Sequence, residues 1–220
     1  MSSSPARTRY LVLGAHLQPA DAAVDGVTVF SAPPLHLSAM PYNGELGAAD
    51  QSTVLRASTL RRQLIGREIF VAFRYGFSVT DEEDLRRKVN EKLPAWHELL
   101  KQHRGRVEMT LRTTGVTSAR PARHEFNSGG DYLRALFERR KNSTIEPEFK
   151  KAVEERFVPL VFDSKWIDRE DGAREMVMLM ERTRLADAET RGQGLKRDFP
   201  DVPFLLSGPW PLEVFADESR

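Results

Sequence analysis

Five histidines, 32 carboxylates and no cysteine are the reactive side chains of this 220-residue chain. Without cysteine, a disulfide framework, a zinc ribbon and a thiol nucleophile are excluded. His16, His36, His97, His103 and His124 include no pair at the i, i+4 spacing that aims two imidazoles at one metal from a helix. His97, beside Trp96, reads as a helix-surface residue. Asp81-Glu82-Glu83-Asp84 has the charge to hold a hard cation, but carboxylates in a first helical turn are already stabilised by the macrodipole, and the cluster reads as structural. Gly129-Gly130-Asp131 could offer helix N-terminal amides to a phosphate. It lacks the Gly-x-Gly-x-x-Gly spacing and a Walker lysine, and Asp131 supplies its own negative cap. No serine sits in a Gly-x-Ser-x-Gly elbow. No catalytic residue, cofactor or metal is expected, and the chain reads as a protein that is not an enzyme.

Binding chemistry has better candidates. Phe70, Phe73 and Tyr75 on a sheet could stack bases, with Arg61, Arg62 and Arg74 meeting phosphates. The aromatic-rich RNP1 pattern is absent, and the runs Arg86-Arg87-Lys88 and Arg139-Arg140-Lys141 are offset by neighbouring acids. With 33 basic and 32 acidic side chains, no long-range field draws the chain to nucleic acid or anionic membrane. RNA or single-stranded nucleic-acid binding is therefore the alternative reading. The other candidate is the stretch Ser207-Gly208-Pro209-Trp210-Pro211-Leu212-Glu213-Val214-Phe215. Two prolines fix φ on either side of the largest apolar side chain, so an extended, stiff strap is expected, docked on the chain's own core or on a partner. The thioethers of Met176 to Met180 could also make an adaptable contact, although internal packing suits them better.

The elements that position these residues alternate along the chain. Strands are expected at Tyr10–Leu13, Leu35–Met40, Glu68–Phe73 and Arg106–Thr113, with helices at about Ser52–Leu64 and Asp81–His103. In the second of these helices Leu85, Val89, Leu93, Trp96 and Leu100 share one face; Thr80 and Glu83 form a capping box, and Pro94 kinks or divides it. Thr114 to Gly130 has no apolar period and holds the expected domain boundary. Helices are expected next at Asp131–Arg140 and Pro147–Glu155, then strands at Phe157–Phe162 and Ala173–Glu181. A helix at about Thr183–Phe199, weakened by Gly192 and Gly194, and an edge strand at Val202–Leu206 complete the order. The class is α+β: two small α/β-sandwich domains of ferredoxin-like character, with an extended C-terminal Pro-Trp-Pro tail. The expected layout is an N-terminal α+β domain at 1–115, a linker at 116–130, a C-terminal ferredoxin-like domain at 131–208 and the tail at 209–220. No window approaches 18 uninterrupted apolar residues and the start lacks an apolar h-region, so a cytoplasmic protein is expected.

Gly208-Pro209-Trp210-Pro211 with Phe215 resembles the C-terminal signature of the gas vesicle protein GvpF/GvpL family, usually Gly-Pro-Trp-Pro-Pro-Tyr-Ser-Phe. Upstream, Ile69-Phe70-Val71-Ala72-Phe73-Arg74-Tyr75-Gly76 is similar to the family's strand ending in Pro-Val-Arg-Phe-Gly, and Gly105-Arg106-Val107-Glu108 to its Gly-x-Val-Glu strand start. Gly130-Asp131-Tyr132-Leu133 fits its Tyr-Leu helix opening, and Arg174 to Phe204 its last strand, turn and helix. The chain departs from the pattern at Leu212-Glu213-Val214, at Ala72, and at Leu55-Arg56-Ala57-Ser58, near which the family usually has a His-Glu pair. The resemblance implies two α+β domains, at least one of them ferredoxin-like, and an accessory protein of gas vesicle formation. Such a protein would bind the major gas vesicle shell protein, together with other gas vesicle accessory proteins, and assist its assembly without catalysis; a protein-interaction adaptor outside gas vesicles is, beside nucleic-acid binding, the other alternative. With the charge balance above, no nucleic-acid or membrane partner is expected, and the oligomeric state is left open. The protein-interaction candidates are Arg74, Tyr75, Gly76, Gly208, Pro209, Trp210, Pro211 and Phe215.

Overall fold

The apolar run after Arg9 continues to His16 as strand β1 (Arg9–His16), whose residues from Leu11 onward are buried on both faces. A tight Pro33-Pro34 turn joins β2 (Thr28–Ala32), a strand not among those expected, to β3 (Leu35–Tyr42). The computed structural model describes residues 8–18, 24–42, 51–113, 126, 128–134, 147–169 and 172–217. Most of the expected linker, the later part of the Asp131–Arg140 helix and the Arg139-Arg140-Lys141 run lie outside these residues; a helical stretch is described at 129–134. There Ser128 caps the first turn, its Oγ accepting from the Asp131 amide and donating to the Asp131 carboxylate.

The chain divides into two compact units, Met1–Val107 with Trp210–Arg220, and Glu108–Pro209. In the first, α1 (Gln51–Ile65) buries Ala57, Leu60, Leu64 and Ile65. The strand order is β2-β3-β1-β4, where β4 is only Val71–Ala72 and β5 (Ser78–Val79) pairs the same strand, β1. β4 pairs Gly14 and Ala15, and β5 pairs Tyr10 and Leu11. The register of β1 against β3 shifts between Val12 and Gly14; of the strand expected at Glu68–Phe73 only Val71–Ala72 is paired, and β5 lies beyond it in the chain. The long helix is divided, as expected, into α2 (Glu82–Val89) and α3 (Leu93–Gln102) by a 3-10 turn just before Pro94, and Leu85, Val89, Leu93, Trp96 and Leu100 are all buried. Its cap sits one residue later than expected. Asp81, not Thr80, is the N-cap and accepts from the Asp84 amide at 2.8 Å, while Asp84 accepts from the Thr80 amide at 3.2 Å. A carboxylate outcompetes the neighbouring hydroxyl for that amide. Hydrogen bonding to the Lys88 ammonium holds the Asp84 carboxyl below the usual range.

The second unit takes up β6 (Arg106–Thr113) from Glu108 on and adds α4 (Pro147–Phe157), β7 (Asp163–Asp168), β8 (Arg174–Glu181), α5 (Leu185–Asp198) and β9 (Phe204–Trp210) as far as Pro209. Its order β7-β8-β6-β9 is the split βαββαβ, ferredoxin-like arrangement. Thus β6, expected to close the first domain, belongs to the second unit's sheet, because its non-local neighbours are β8 and β9. Residues 158–160 form a 3-10 turn, so the strand expected at Phe157–Phe162 begins only at Asp163. Phe149, Val153 and Phe157 of α4 are buried, with Phe149 against Phe199 and Phe204 at centroid distances of 5.4 and 5.6 Å. Met176, Met178 and Met180 are fully packed inside, so these thioethers form core and not contact surface. On the other face of β8, the buried Glu175 carboxylate accepts from Arg112 Nη1 at 2.8 Å and Arg169 Nε at 2.6 Å.

The two glycines of α5 differ. A Cβ on Gly192 would lie 2.7 Å from Leu206 Cδ2, whereas one on Gly194 would meet only Arg197 Nη2 at 3.9 Å. Gly194→Ala is therefore expected to stabilise the unit by about 1 kcal/mol, read as a higher midpoint in urea, with Gly192→Ala giving less or a loss.

Candidate protein-interaction surface

The Pro-Trp-Pro stretch is extended, and the residues after it dock on the chain itself, one of the two surfaces expected from sequence. β9 continues through Ser207, Gly208 and Pro209 to Trp210, with the Gly208–Pro209 peptide cis. Gly208 is needed there, since its φ is +137° and a Cβ would lie 2.4 Å from Met109 Sδ and 3.0 Å from the Glu108 carbonyl oxygen. After Pro211, which is buried, the chain runs parallel to β4, with Leu212 opposite Val71. The Leu212 amide donates to Phe70 O at 2.9 Å and its carbonyl accepts from the Ala72 amide at 3.1 Å. The short helix α6 (Val214–Asp217) then buries Phe215 and Ala216. The terminal segment expected to leave the second domain is thus part of the first unit.

Arg61 of α1 braces this edge. Its guanidinium donates to Leu13 O at 3.1 Å and also to Phe73 O, tying β1 to the end of β4. Burial works against its charge and lowers its pKa, and the Glu213 carboxylate of the terminal segment opposes that shift.

Of the sequence candidates, Trp210 at 42% and Tyr75 at 39% relative exposure are the displayed aromatics, while Phe215 is 6% exposed. Arg74 and Tyr75 sit at the tip of a turn closed by Phe77 N donating to Arg74 O at 3.2 Å, with Gly76 at φ +94°. Because the terminal segment is parallel to β4, Trp210 lies toward Ile69 and the Arg74–Gly76 turn toward the opposite end. The structure therefore separates these two candidates. It also takes apart the stacking platform: Phe70 and Phe73 are core residues, Phe73 packing against Trp96 at 5.0 Å, and Arg61 is spent on carbonyls.

A polar pair escaped the sequence reading altogether. His16 Nε2 lies 2.7 Å from Ser38 Oγ, both side chains sealed in the first unit's sheet, and His16 Nδ1 has no hydrogen-bond partner among the described residues. A serine beside an imidazole is the start of a nucleophile–base pair, but among the described residues no carboxylate orients this ring, and both side chains are buried. Only the strand pairing, which sets His16 opposite His36 and Gly14 opposite Ser38, reveals it. Burial first, and His36 second, push the His16 pKa down to about 4 from its ordinary 6.5. The unfolded chain then takes up the proton first as pH falls, so this stabilisation is complete above pH 6.5 and is lost toward pH 4. Between pH 7 and pH 4 the loss is expected to be roughly 3 kcal/mol, checked as the difference between wild type and His16→Gln in urea unfolding at the two pH values.

Among the described residues no group of three or more His, Cys, Asp or Glu could hold a metal ion, and no helix is long and apolar enough to cross a membrane. What fold and surface define is a two-unit α+β protein whose second unit is ferredoxin-like and whose C-terminal segment returns to brace the first. That is the fold of the gas vesicle protein GvpF. GvpF from an Anabaena species superposes with a TM-score of 0.69 at 14% identity, covering 95% of this chain and 95% of that one. GvpF from Microcystis aeruginosa gives 0.71 at 12% identity, covering 96% of this chain and 99% of its own. No protein-family model matches the sequence, and no curated protein matches it.

Proposed function

We propose that this chain is a non-catalytic accessory protein of gas vesicle formation, which binds the major gas vesicle shell protein in the cytoplasm and assists its assembly. The observation that carries this reading is the likeness of fold to two GvpF structures over nearly the whole of both chains. The C-terminal motif supports it from the sequence side. An amphiphilic shell subunit exposes apolar surface until assembly buries it, and a protein that covers that surface meanwhile prevents aggregation. The exposed Trp210 and the Arg74-Tyr75-Gly76 turn are the proposed contacts, whereas Gly208, Pro209, Pro211 and Phe215 act by holding Trp210 in place.

The test is a pull-down of the tagged chain co-expressed with the major shell protein, at two salt concentrations, with bulk RNA as control. Salt-resistant capture of the shell protein is expected. Capture of RNA alone, lost at high salt, would overturn the reading and favour the nucleic-acid alternative. Trp210→Ala is expected to weaken capture while costing folding stability only about 1 kcal/mol, well below the loss of a fully buried tryptophan, because the residue is 42% exposed.

A further inference from the structure

We propose that the outer face of α1 is a docking surface for an acidic amphipathic segment of a partner protein. From Gln51 to Ile65 this helix has no carboxylate, and it carries Arg56, Arg61 and Arg62. The other long helices neutralise themselves: Arg86 pairs with Glu82 in α2, Lys101 with Glu98 in α3, Lys150 with Glu154 in α4, and Arg184 with Asp187 at the start of α5. Arg61 is turned inward onto carbonyls. Arg56 and Arg62 are exposed and make no ion pair among the described residues.

Beside them Leu55 is 60% exposed and Val54 is also solvent-facing. Leu55 and Arg62, seven residues apart, lie on one face, roughly 10 Å from each other along the axis. A helix laid along α1 could set an apolar side chain on Leu55 and a carboxylate on Arg62, two turns being the natural spacing of such a ligand, while Arg56, about a quarter turn round the helix with its Nη2 beside Gly26, adds positive charge at the flank. Uncompensated cations around an exposed aliphatic residue call for that chemistry through charge complementarity. Nucleic acid fits less well. The apolar element is aliphatic and offers no ring for stacking, two arginines neutralise few phosphates, and the chain's net charge is only +1. The proposal does not depend on which assembly supplies the partner.

The experiment follows amide shifts of the full-length, isotope-labelled chain during titration with a helical peptide bearing a leucine face flanked by glutamates. The same peptide with lysine for each glutamate, and bulk RNA, serve as the other arms. Glutamate-peptide shifts centred on α1, weakening as salt rises, are expected. Arg62→Glu should weaken binding about tenfold and transfer preference to the lysine peptide, and Leu55→Asp should remove it, both with unchanged melting because the positions are exposed. The proposal is overturned if α1 amides do not move, if Arg62→Glu binds the glutamate peptide as wild type does, or if RNA occupies these amides in preference to the peptide.

Discussion

Leu212→Ala is expected to lower the stability of the first unit by about 3 kcal/mol, and Phe215→Ala by a similar amount, because each leaves a cavity where a fully packed side chain stood. Leu212 has no exposed surface, and its backbone supplies both an acceptor and a donor to the edge residues 70–72. When the terminal segment detaches, Phe70 O and the Ala72 amide lose their partners along with the apolar contact. Two readouts separate this from a general loss. Fluorescence of Trp96, buried in the first unit, should report an earlier unfolding transition in denaturant. Hydrogen exchange at the Ala72 amide should accelerate in both variants, while amides of the β7–β8 pair in the second unit keep their protection. Trp210→Ala, only two residues upstream of Leu212, should do neither. If Leu212→Ala melted like wild type, the segment would not be an integral part of the unit.

The second large effect concerns Gly14. A Cβ built there would lie 2.1 Å from Phe70 Cδ2, 2.8 Å from Phe70 Cε2 and 3.0 Å from the Val71 carbonyl oxygen. Phe70 is completely buried, with its ring also against His16 at 5.2 Å, so it has nowhere to move. The Val71 oxygen belongs to β4, which pairs with this same stretch of β1. Gly14→Val should therefore cost at least about 3 kcal/mol, the upper range for overpacking, and yield little folded protein. Gly14→Ala is the measurable version. Combined with Phe70→Leu, which opens the space, it should lose less than the sum of the single losses, with a coupling energy of about 1 kcal/mol or more in chemical denaturation. Strict additivity would show that the ring is not what excludes a side chain from position 14.

These two sites illustrate where reading the chain by itself succeeds and where it stops. The face of Leu85, Val89, Leu93, Trp96 and Leu100, the break near Pro94, the bounds of β6, and the helices α4 and α5 were all legible. Each is fixed by local periodicity or by a proline, and such signals need no knowledge of distant residues. The αβ alternation likewise gave the class, and the Gly-Pro-Trp-Pro motif pointed to the same fold that superposition found. What the tertiary structure alone decided is where long-range pairings close. Trp210 ends a strand and the next residues leave it for β4; β6 joins the second unit's sheet; β4 and β5 share one edge of β1; and His16 meets Ser38 within the first unit's sheet. No local pattern encodes these, because a strand's partner is chosen by backbone hydrogen bonds and apolar burial between residues far apart in the chain. The chemistry of Trp210 could be read from its neighbours, but its 42% exposure follows from the long-range pairing with β4 that buries Leu212 and Phe215.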